Sequence, residues 1–256
     1  MSITVTILTK NSAKYLPQVL AALSRFDEVL VYDTGSTDET LKIASQHPNV
    51  RALEAPFVGF GPTHNNASVA ARNDWILSVD SDEVMTPELS EEIAALTLDP
   101  QAVYSVWRQN YYNGRWIRWC GWYPDRQVKL YNRKTTRFSD AQVHEAVITK
   151  DLKTVPLKYP VKHYPYSGTA DFLAKMQIYS TLYAQQAKGK KSSVTKAVTH
   201  GLFAFFKSYI LKKGFLGGRE GFIISIYNGN TAFYKYLKLL EANRTPSPSH
   251  PECSLK

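Results

Sequence analysis

Apolar positions in the first part of the chain change between two spacings, which predicts strands and helices in alternation. Between the strand-like runs, apolar residues recur three or four positions apart, as on one face of a helix, and Thr86-Pro87 is a typical helix start. Alternation of this kind over about a hundred residues predicts an α/β fold, a mostly parallel sheet flanked by helices. Four short apolar runs have the character of buried strands: Ile3 to Leu8, Glu28 to Tyr32, Val50 to Leu53 and Trp75 to Val79.

The rest of the chain differs in charge and in aromatic content. Of the 256 residues, positions 1–149 hold 14 Lys+Arg and 17 Asp+Glu, whereas positions 150–244 hold 16 and 4. Aromatic and apolar residues alternate with lysines between 198 and 240, which is typical of helices at a membrane interface. A helical appendage packed on the sheet would explain part of the apolar residues but not the lysines. We therefore predict an α/β domain over 1–149, a basic helical extension over 150–244 and a disordered tail over 245–256.

The overall charge and the cysteines narrow the choice of partners and compartment. A net charge of +9 indicates an anionic partner, which is nucleic acid, a lipid headgroup surface or a phosphorylated substrate. Cys120 and Cys253 stand far apart and offer neither a disulfide framework nor a metal-binding spacing, which suits a reducing compartment. We expect no signal peptide and no transmembrane helix, because no apolar run approaches the length of about 18 residues that a span requires.

Two aspartates one residue apart, Asp80 and Asp82, follow the last of the four apolar runs. Side chains two positions apart on a strand point to the same side, so their carboxylates would converge at the carboxyl end of the strand. Paired carboxylates are unfavourable unless a positive charge lies between them. A divalent cation that also contacts substrate phosphates fits this need, whereas a solvated acidic turn before a helix is the simpler interpretation.

Four polar features lie at predicted strand ends or in the loops after them, and in a parallel sheet these ends share one edge. The chain has no Walker A sequence, and its Gly59-Phe60-Gly61 loop is followed by His64, so it carries no dinucleotide fingerprint. A nucleotide held without either motif, with Asp-x-Asp at its diphosphate, indicates sugar-nucleotide chemistry. The four features are Thr9 with Asn11, Asp33 with Gly35, the Gly59–Asn66 loop with Asn65, and Asp80 with Asp82.

The motifs resemble those of the family 2 inverting glycosyltransferases over about residues 2–241. TILTKN at 6–11 is similar to the opening strand and loop of the family, VYDTGSTD at 31–38 to its VVDSGSTDGT element, and DWILSVDSDE at 74–83 to its WILxxDADE element. YPDRQVKLY at 123–131, VHE at 143–145 and residues 207–218 resemble the lipopolysaccharide core glucosyltransferase subgroup. The subgroup usually has a basic residue after the Gly-x-Gly loop, where this chain has His64.

The resemblance implies a GT-A-like, Rossmann-type fold and a role for each candidate residue. A carboxylate must deprotonate the attacking hydroxyl, and Asp125 and Glu145 are both candidates. His144 would be a metal ligand, a diphosphate contact or a structural residue. Arg126 would bind acceptor or diphosphate, or form an ordinary surface ion pair. The remaining roles are nucleotide-sugar binding for Thr9, Asn11, Asp33 and Asn65, ribose or metal binding for Asp80, and Mg²⁺ or Mn²⁺ binding for Asp82.

The resulting functional hypothesis is an inverting, metal-dependent transferase that moves a hexose from a nucleotide sugar, with UDP-glucose expected from the family. The acceptor would be a lipid-linked anionic saccharide, expected to be the lipopolysaccharide inner core. The protein would be cytoplasmic and peripheral on the inner membrane, held by its basic extension, with no nucleic acid partner. Two alternatives are transfer to a polyprenyl phosphate and a non-catalytic module that binds membranes or nucleic acid.

Overall fold

A computed structural model describes residues 2–140 and 145–244, and this part of the chain divides into two units. Unit 1 comprises Met1–Asn110 and Pro124–Pro165, and unit 2 comprises Tyr111–Tyr123 and the chain from Tyr166 onward. The described strands are β1 Ile3–Thr9, β2 Glu28–Asp33, β3 Val50–Glu54, β4 Trp75–Ser78, β5 Glu83–Met85, β6 Ala102–Tyr112, β7 Arg115–Trp116, β8 Arg126–Asn132 and β9 Lys153–His163. The α-helices are α1 Leu16–Ala22, α2 Thr40–Ser45, α3 Phe60–Ala70, α4 Pro87–Ala94, α5 Thr169–Gln186, α6 Val194–Phe206 and α7 Gly218–Arg244.

Unit 1 is built on a mixed sheet whose strand order is β3-β2-β1-β4-β8-β6-β9-β5. The first four strands are parallel, as the apolar runs predict, and β8 then enters antiparallel between β4 and β6. The β6 and β9 strands are parallel to each other, and β5 closes the order antiparallel to β9. The central strands β1 and β2 are buried along almost their whole length, and the burial of β1 includes its threonines Thr4, Thr6 and Thr9.

The starts of helices α3 and α4 in unit 1 follow from the residues that precede them. Thr86 caps α4 by accepting a hydrogen bond from the Leu89 amide, and Pro87 occupies the first helical position. Helix α3 begins at Phe60, directly after Gly59, whose φ of 104° turns the chain at that point. The prediction of a loop over Gly59–Asn66 is therefore wrong from Phe60 onward, where the chain is helical.

A buried carboxylate joins the start of β2 to its neighbours. Glu28 accepts hydrogen bonds from Thr4 Oγ1 at 2.6 Å, from the Arg72 amide at 2.8 Å and from Arg51 Nη2 at 2.9 Å. Burial opposes its ionisation, but the hydrogen bonds from Thr4, Arg72 and Arg51 outweigh burial and lower the pKa of Glu28. This group therefore stabilises unit 1 in its charged form.

Unit 2 combines the hairpin segment 111–123 with three long helices. Tyr112, Ile117 and Cys120 of the segment form a buried cluster with Phe172 of α5 and Ile224 of α7. A π-helical turn, Lys207–Leu211, and a 3₁₀ turn, Gly214–Gly217, separate α6 from α7. Gly214 and Gly217 begin and end the 3₁₀ turn, whereas Gly221 lies inside α7.

The boundary between the units differs from the predicted division at residue 149. Strand β9, at Lys153–His163, hydrogen-bonds to β6 and β5 and so belongs to the sheet of unit 1. Hydrophobic pattern alone could not reveal this, because the pairing joins residues about fifty positions apart in the chain. The assignment of functions to the two predicted segments stays a prediction, and the tail, 245–256, lies outside the described residues.

Candidate active site

Asp80 and Asp82 lie in the short turn that leads from β4 to β5 at the carboxyl edge of the parallel strands. The turn is closed by two hydrogen bonds, from the Glu83 amide to the Asp80 carbonyl at 2.9 Å and from the Asp80 amide to Glu83 Oε2 at 3.1 Å. Strand β5, which begins at Glu83, was not predicted from the sequence, because its three residues give too short a pattern. The turn presents both aspartates while Glu83 is fully buried beneath them.

Two cations, the half-buried Arg108 and the buried Lys129, contact Asp80 and Glu83. Arg108 donates to Asp80 Oδ2 at 2.5 Å and to Glu83 Oε1 at 2.7 Å. Lys129 lies 2.8 Å from Glu83 Oε2 and 3.1 Å from Asp80 Oδ2. Burial opposes ionisation of Asp80, but the charges of Lys129 and Arg108 outweigh it and hold the pKa of Asp80 well below its usual range. The positive charge that paired carboxylates need is therefore supplied for Asp80 by the protein itself.

His163, at the end of β9, joins the two aspartates in a cluster that could hold a metal ion. One ligand atom from each of Asp80, Asp82 and His163 lies within 4.8 Å of the others, and His163 Nε2 lies 3.5 Å from Asp82 Oδ1. Two carboxylates and an imidazole suit a divalent cation such as Mn²⁺, and the oxygen ligands also suit Mg²⁺. Because Asp80 Oδ2 already contacts Arg108 and Lys129, Asp82 and His163 are better suited than Asp80 to bind a metal ion.

Asp125 lies beside this cluster and is held from both sides. Asn110 Nδ2 donates to Asp125 Oδ2 at 3.1 Å, and Gln127 Nε2 donates to Asp125 Oδ1 at 3.0 Å. Asp125 Oδ2 lies 4.0 Å from Arg108 Nη1. The carboxylate therefore has a fixed orientation within reach of the same arginine that contacts Asp80.

A cavity of about 260 Å³ is lined by Asp80 and by the second candidate base, Glu145. Arg126 also lines the cavity; its Nη1 donates to the Ser105 carbonyl at 3.0 Å, and its guanidinium lies 3.8 Å from the centre of the Trp107 ring. Asp125 therefore lies near Arg108, which contacts Asp80, and Glu145 lines the same cavity as Asp80. His144, the predicted metal ligand, lies outside the described residues. Other residues lining the cavity are His64, Ser78, Arg108, Lys129 and Phe138.

His64, which stands where the subgroup carries a basic residue after its glycine loop, is buried. Its ring is buried and stacks on Phe138 with a centroid distance of 4.3 Å. Burial lowers the pKa of His64 to about 4, so the imidazole is neutral at pH 7. The buried ring of His64 therefore carries no positive charge in this structure.

Thr9, Asn11 and Asp33 come together at the carboxyl ends of β1 and β2. The buried Asp33 carboxylate accepts from Thr9 Oγ1 at 2.8 Å, from Ser36 Oγ at 2.5 Å and from the amides of Gly35 and Ser36. Burial opposes its ionisation, and the hydrogen bonds led by Ser36 lower the pKa of Asp33 overall. Asn11, at a φ of 52°, accepts from the Thr37 amide at 2.8 Å. These contacts fix the loop, and direct nucleotide binding by the three residues stays a prediction.

Asn65 holds another wall of the site. Its side chain donates to the Phe138 carbonyl at 3.0 Å and accepts from the Phe138 amide at 2.9 Å. This pairing fixes the segment that carries Phe138, which lines the cavity beside Asp80. A contact between Asn65 and a nucleotide sugar stays a prediction.

The sequence that carries this site matches a known protein family. Residues 4–153, more than half of the chain, match the model of glycosyl transferase family 2. The chain belongs to this family. Its match contains the strand ends at Thr9 and Asp33, the Asp80–Asp82 turn and Asp125, whereas His163 lies beyond it. The mixed sheet with flanking helices is accordingly a GT-A-like glycosyltransferase fold.

Relatives extend this likeness along most of the chain. A glycosyltransferase of Rickettsia bellii is 29% identical over 98% of this chain and 90% of its own length. The lipopolysaccharide core biosynthesis glycosyltransferase LpsC of Rhizobium meliloti is 23% identical over 92% of this chain and 90% of its own. The poly(ribitol-phosphate) β-N-acetylglucosaminyltransferase TarS of Staphylococcus aureus is 28% identical over 70% of this chain, which matches 32% of TarS.

A solved structure confirms the fold of this family 2 chain. Residues 1–349 of S. aureus TarS, in complex with UDP-GlcNAc, superimpose with a TM-score of 0.50 and 17% identity over 95% of this chain and 90% of that one. As for the membrane, the helices described between residues 2 and 244 include none with both the length and the apolar character needed to cross a bilayer.

Proposed function

We propose that this family 2 glycosyltransferase is an inverting, divalent-metal-dependent hexosyltransferase that uses a nucleotide sugar, with UDP-glucose as the expected donor. The observation that carries the proposal is the Asp80, Asp82 and His163 cluster with Asp125 beside it. Asp82 and His163 would hold Mn²⁺ or Mg²⁺, with Asp80 bordering the ion or the ribose. When bound, the cation stabilises the charge that develops on the departing diphosphate.

The remaining chemistry rests on residues of the chain. A base takes the proton of the acceptor hydroxyl, the hydroxyl oxygen bonds to the anomeric carbon from the face opposite the diphosphate, and the bond to the diphosphate oxygen breaks, which inverts the anomeric centre. Asp125 and Glu145 both border the site. We favour Asp125, because Asn110 and Gln127 hold both of its oxygens and general bases act from a fixed geometry. Measuring transfer by the Asp125→Asn and Glu145→Gln variants separates the two candidates, because only the variant that lacks the base should lose its activity.

The donor proposal is tested by ligand-induced stabilisation. A panel of nucleotide sugars is scanned for a rise in Tm with and without Mn²⁺, since a ligand that binds the native state stabilises it by mass action. UDP-glucose with Mn²⁺ is expected to give the largest rise, and the Asp82→Ala variant is expected to lose the Mn²⁺-dependent part. Transfer of hexose by Asp82→Ala at the rate of the parent would contradict the metal assignment. If no nucleotide sugar in the panel raises the Tm, the non-catalytic alternative is favoured.

Unit 2 supports a membrane-bound acceptor. Between Asp171 and Glu220 the chain has nine Lys+Arg and no acidic residue. The same region exposes large apolar side chains, with exposed fractions of 66% for Leu202, 58% for Phe203 and 58% for Leu211. Exposed apolar groups among lysines fit an anionic bilayer surface, where each well-placed Lys or Arg contributes about 1 kcal/mol. We therefore propose that unit 2 holds the enzyme on the cytoplasmic face of the inner membrane.

The acceptor on that surface is proposed to be a lipid-linked anionic saccharide, with the lipopolysaccharide inner core as the first candidate. The likeness to LpsC over nearly the whole chain supports this choice. Incubation with labelled UDP-glucose and two acceptors, core-truncated lipopolysaccharide and polyprenyl phosphate, distinguishes it from the alternative. Label recovered in lipopolysaccharide supports the proposal, and label recovered only in the polyprenyl lipid overturns it.

A further inference from the structure

Asn110 connects the candidate base to the candidate metal ligand. It is a buried residue on β6, and its neighbour in the parallel register with β9 is His163. Asn110 Oδ1 lies 2.6 Å from His163 Nδ1, and Asn110 Nδ2 lies 3.1 Å from Asp125 Oδ2. A single amide therefore spans the space between the imidazole and the carboxylate.

The chemistry of these groups fixes the direction of both hydrogen bonds. An ionised carboxylate has no hydrogen to donate, so the NH₂ group of Asn110 must face Asp125. The carbonyl oxygen of Asn110 then faces His163 and can only accept, which requires a hydrogen on Nδ1. In neutral imidazole a hydrogen on Nδ1 leaves a lone pair on Nε2, the atom that lies 3.5 Å from Asp82 Oδ1.

We infer that Asn110 is a positioning residue that holds His163 in the tautomer required of a metal ligand and at the same time orients Asp125. A metal-bound histidine normally donates its other ring nitrogen to a nearby acceptor, and here that acceptor is the Asn110 amide. The inference rests on the proposed metal-dependent transfer. It adds that Asn110 positions groups for both parts of the reaction, the departure of the diphosphate and the deprotonation of the acceptor.

Two substitutions separate the two duties of Asn110. Asn110→Asp retains an oxygen that accepts from His163 Nδ1 but provides no donor for Asp125, whereas Asn110→Leu removes both contacts. Gln109→Leu is the matched control, because Gln109 directly precedes Asn110 on β6 and successive residues of a strand face opposite ways. Mn²⁺ affinity is measured without any substrate, from the electron paramagnetic resonance signal of the free ion, and kcat and KM are measured separately.

Asn110→Leu is expected to raise the Kd for Mn²⁺ by about 10- to 100-fold, the usual effect of removing the partner of a metal-binding histidine. Asn110→Asp is expected to bind Mn²⁺ more tightly than Asn110→Leu and still to lose kcat with little change in donor KM. Parent-like Mn²⁺ binding and parent-like kcat in Asn110→Leu would overturn the role of Asn110 alone. A parent enzyme that binds no Mn²⁺ would overturn the metal-dependent function together with it.

A measurement on the unaltered enzyme covers the case in which a variant does not fold. Nitrogen-15 spectra of histidine-labelled protein report which ring nitrogen carries the hydrogen, and the His163 signal is identified by its loss in His163→Gln. The inference requires a hydrogen on Nδ1 and a metal-sensitive Nε2. A neutral ring protonated on Nε2 would overturn it.

Discussion

The ammonium group of Lys129 lies 2.8 Å from the carboxylate of Glu83, and both side chains are buried. This pair lies directly beneath the Asp80–Asp82 turn, and Arg108 joins it from β6. The two cations thus balance the carboxylates of Glu83 and Asp80, and Asp80 is shared with the candidate metal cluster. The balance leaves Asp82 and His163, rather than Asp80, to respond to a bound cation.

Lys129→Met is expected to destabilise the protein, because it leaves Glu83 buried with only Arg108 for compensation. Loss of one partner of a buried ion pair costs about 3–5 kcal/mol, and urea unfolding measures this directly. The control is Lys134→Met, which removes the exposed partner of Asp74 and should cost less than about 1 kcal/mol. A cost for Lys129→Met no larger than that of the control would show that the buried pair contributes little.

Glu28 should make stability depend on pH in the acid range. Its pKa is lowered in the folded protein, so its contribution is present above the unfolded value of 4.5 and is lost as the pH falls through the folded value. Glu28→Gln should therefore cost about 1.5–3 kcal/mol at pH 7, and the gap to the parent should narrow as the pH falls below about 4.5. Urea midpoints from pH 7 to pH 3 test this, with the exposed Glu54→Gln as control. A gap that stays constant or widens in acid would contradict the assignment.

His163→Gln should weaken Mn²⁺ binding by at least about tenfold, since direct ligands matter no less than the groups that orient them. Calorimetric titration with Mn²⁺ measures the change, and His47→Gln, a histidine in the turn between α2 and β3, serves as the control. Equal affinity in the two variants would remove His163 from the ligand set. Asp82 would then lack its nearest proposed partner.

Replacing Leu202 and Phe206 by serine should release the enzyme from anionic vesicles. Each large apolar side chain that leaves the bilayer costs about 1.5–3 kcal/mol, so partitioning should fall at least about tenfold in a flotation assay. Val69→Ser, which alters an exposed apolar residue of α3 in unit 1, should float as the parent does. Unchanged flotation of the double variant would remove this part of α6 from the membrane proposal.

Gly221→Ala should destabilise unit 2. A Cβ at this position would collide with the carbonyl oxygen of Gly214, a backbone atom that cannot rotate away. Overpacking of this kind costs about 1–3 kcal/mol or more, and each kcal/mol lowers Tm by about 2–4 °C in a protein of this size. Gly168→Ala is the control, since nothing lies within 4 Å of its added Cβ. Equal melting temperatures would show that the turn and α7 can separate at little cost.

The sequence predicted the parts of the site that depend on local pattern. Asp80, Asp82 and Asp33 each follow an apolar run, and parallel pairing of β1, β2 and β4 brings these strand ends to one edge. The family match supports the same reading, since it contains all three residues. The alternation of strands and helices was therefore enough to predict the fold of the first half of unit 1.

The residues that sequence reasoning missed depend on pairing over long distances. His163, Asn110, Lys129 and Arg108 reach the site through the β6, β8 and β9 strands, whose register no local pattern specifies. One signal was present: residues 153–163 end in a histidine, and histidine is a common metal ligand. Without the parallel partner β6, nothing linked that histidine to an Asp-x-Asp turn eighty residues earlier in the chain.

The chain passes between its two units three times, after Asn110, after Tyr123 and after Pro165. A truncation that ends at residue 165 would therefore leave Tyr112 and Ile117 without Phe172 and Ile224, which complete their cluster. A chimera that exchanges unit 2 with a relative must transplant residues 111–123 together with the helices from 166 onward. Because unit 2 is formed from two separate stretches of the chain, recombination at a single point cannot move it intact.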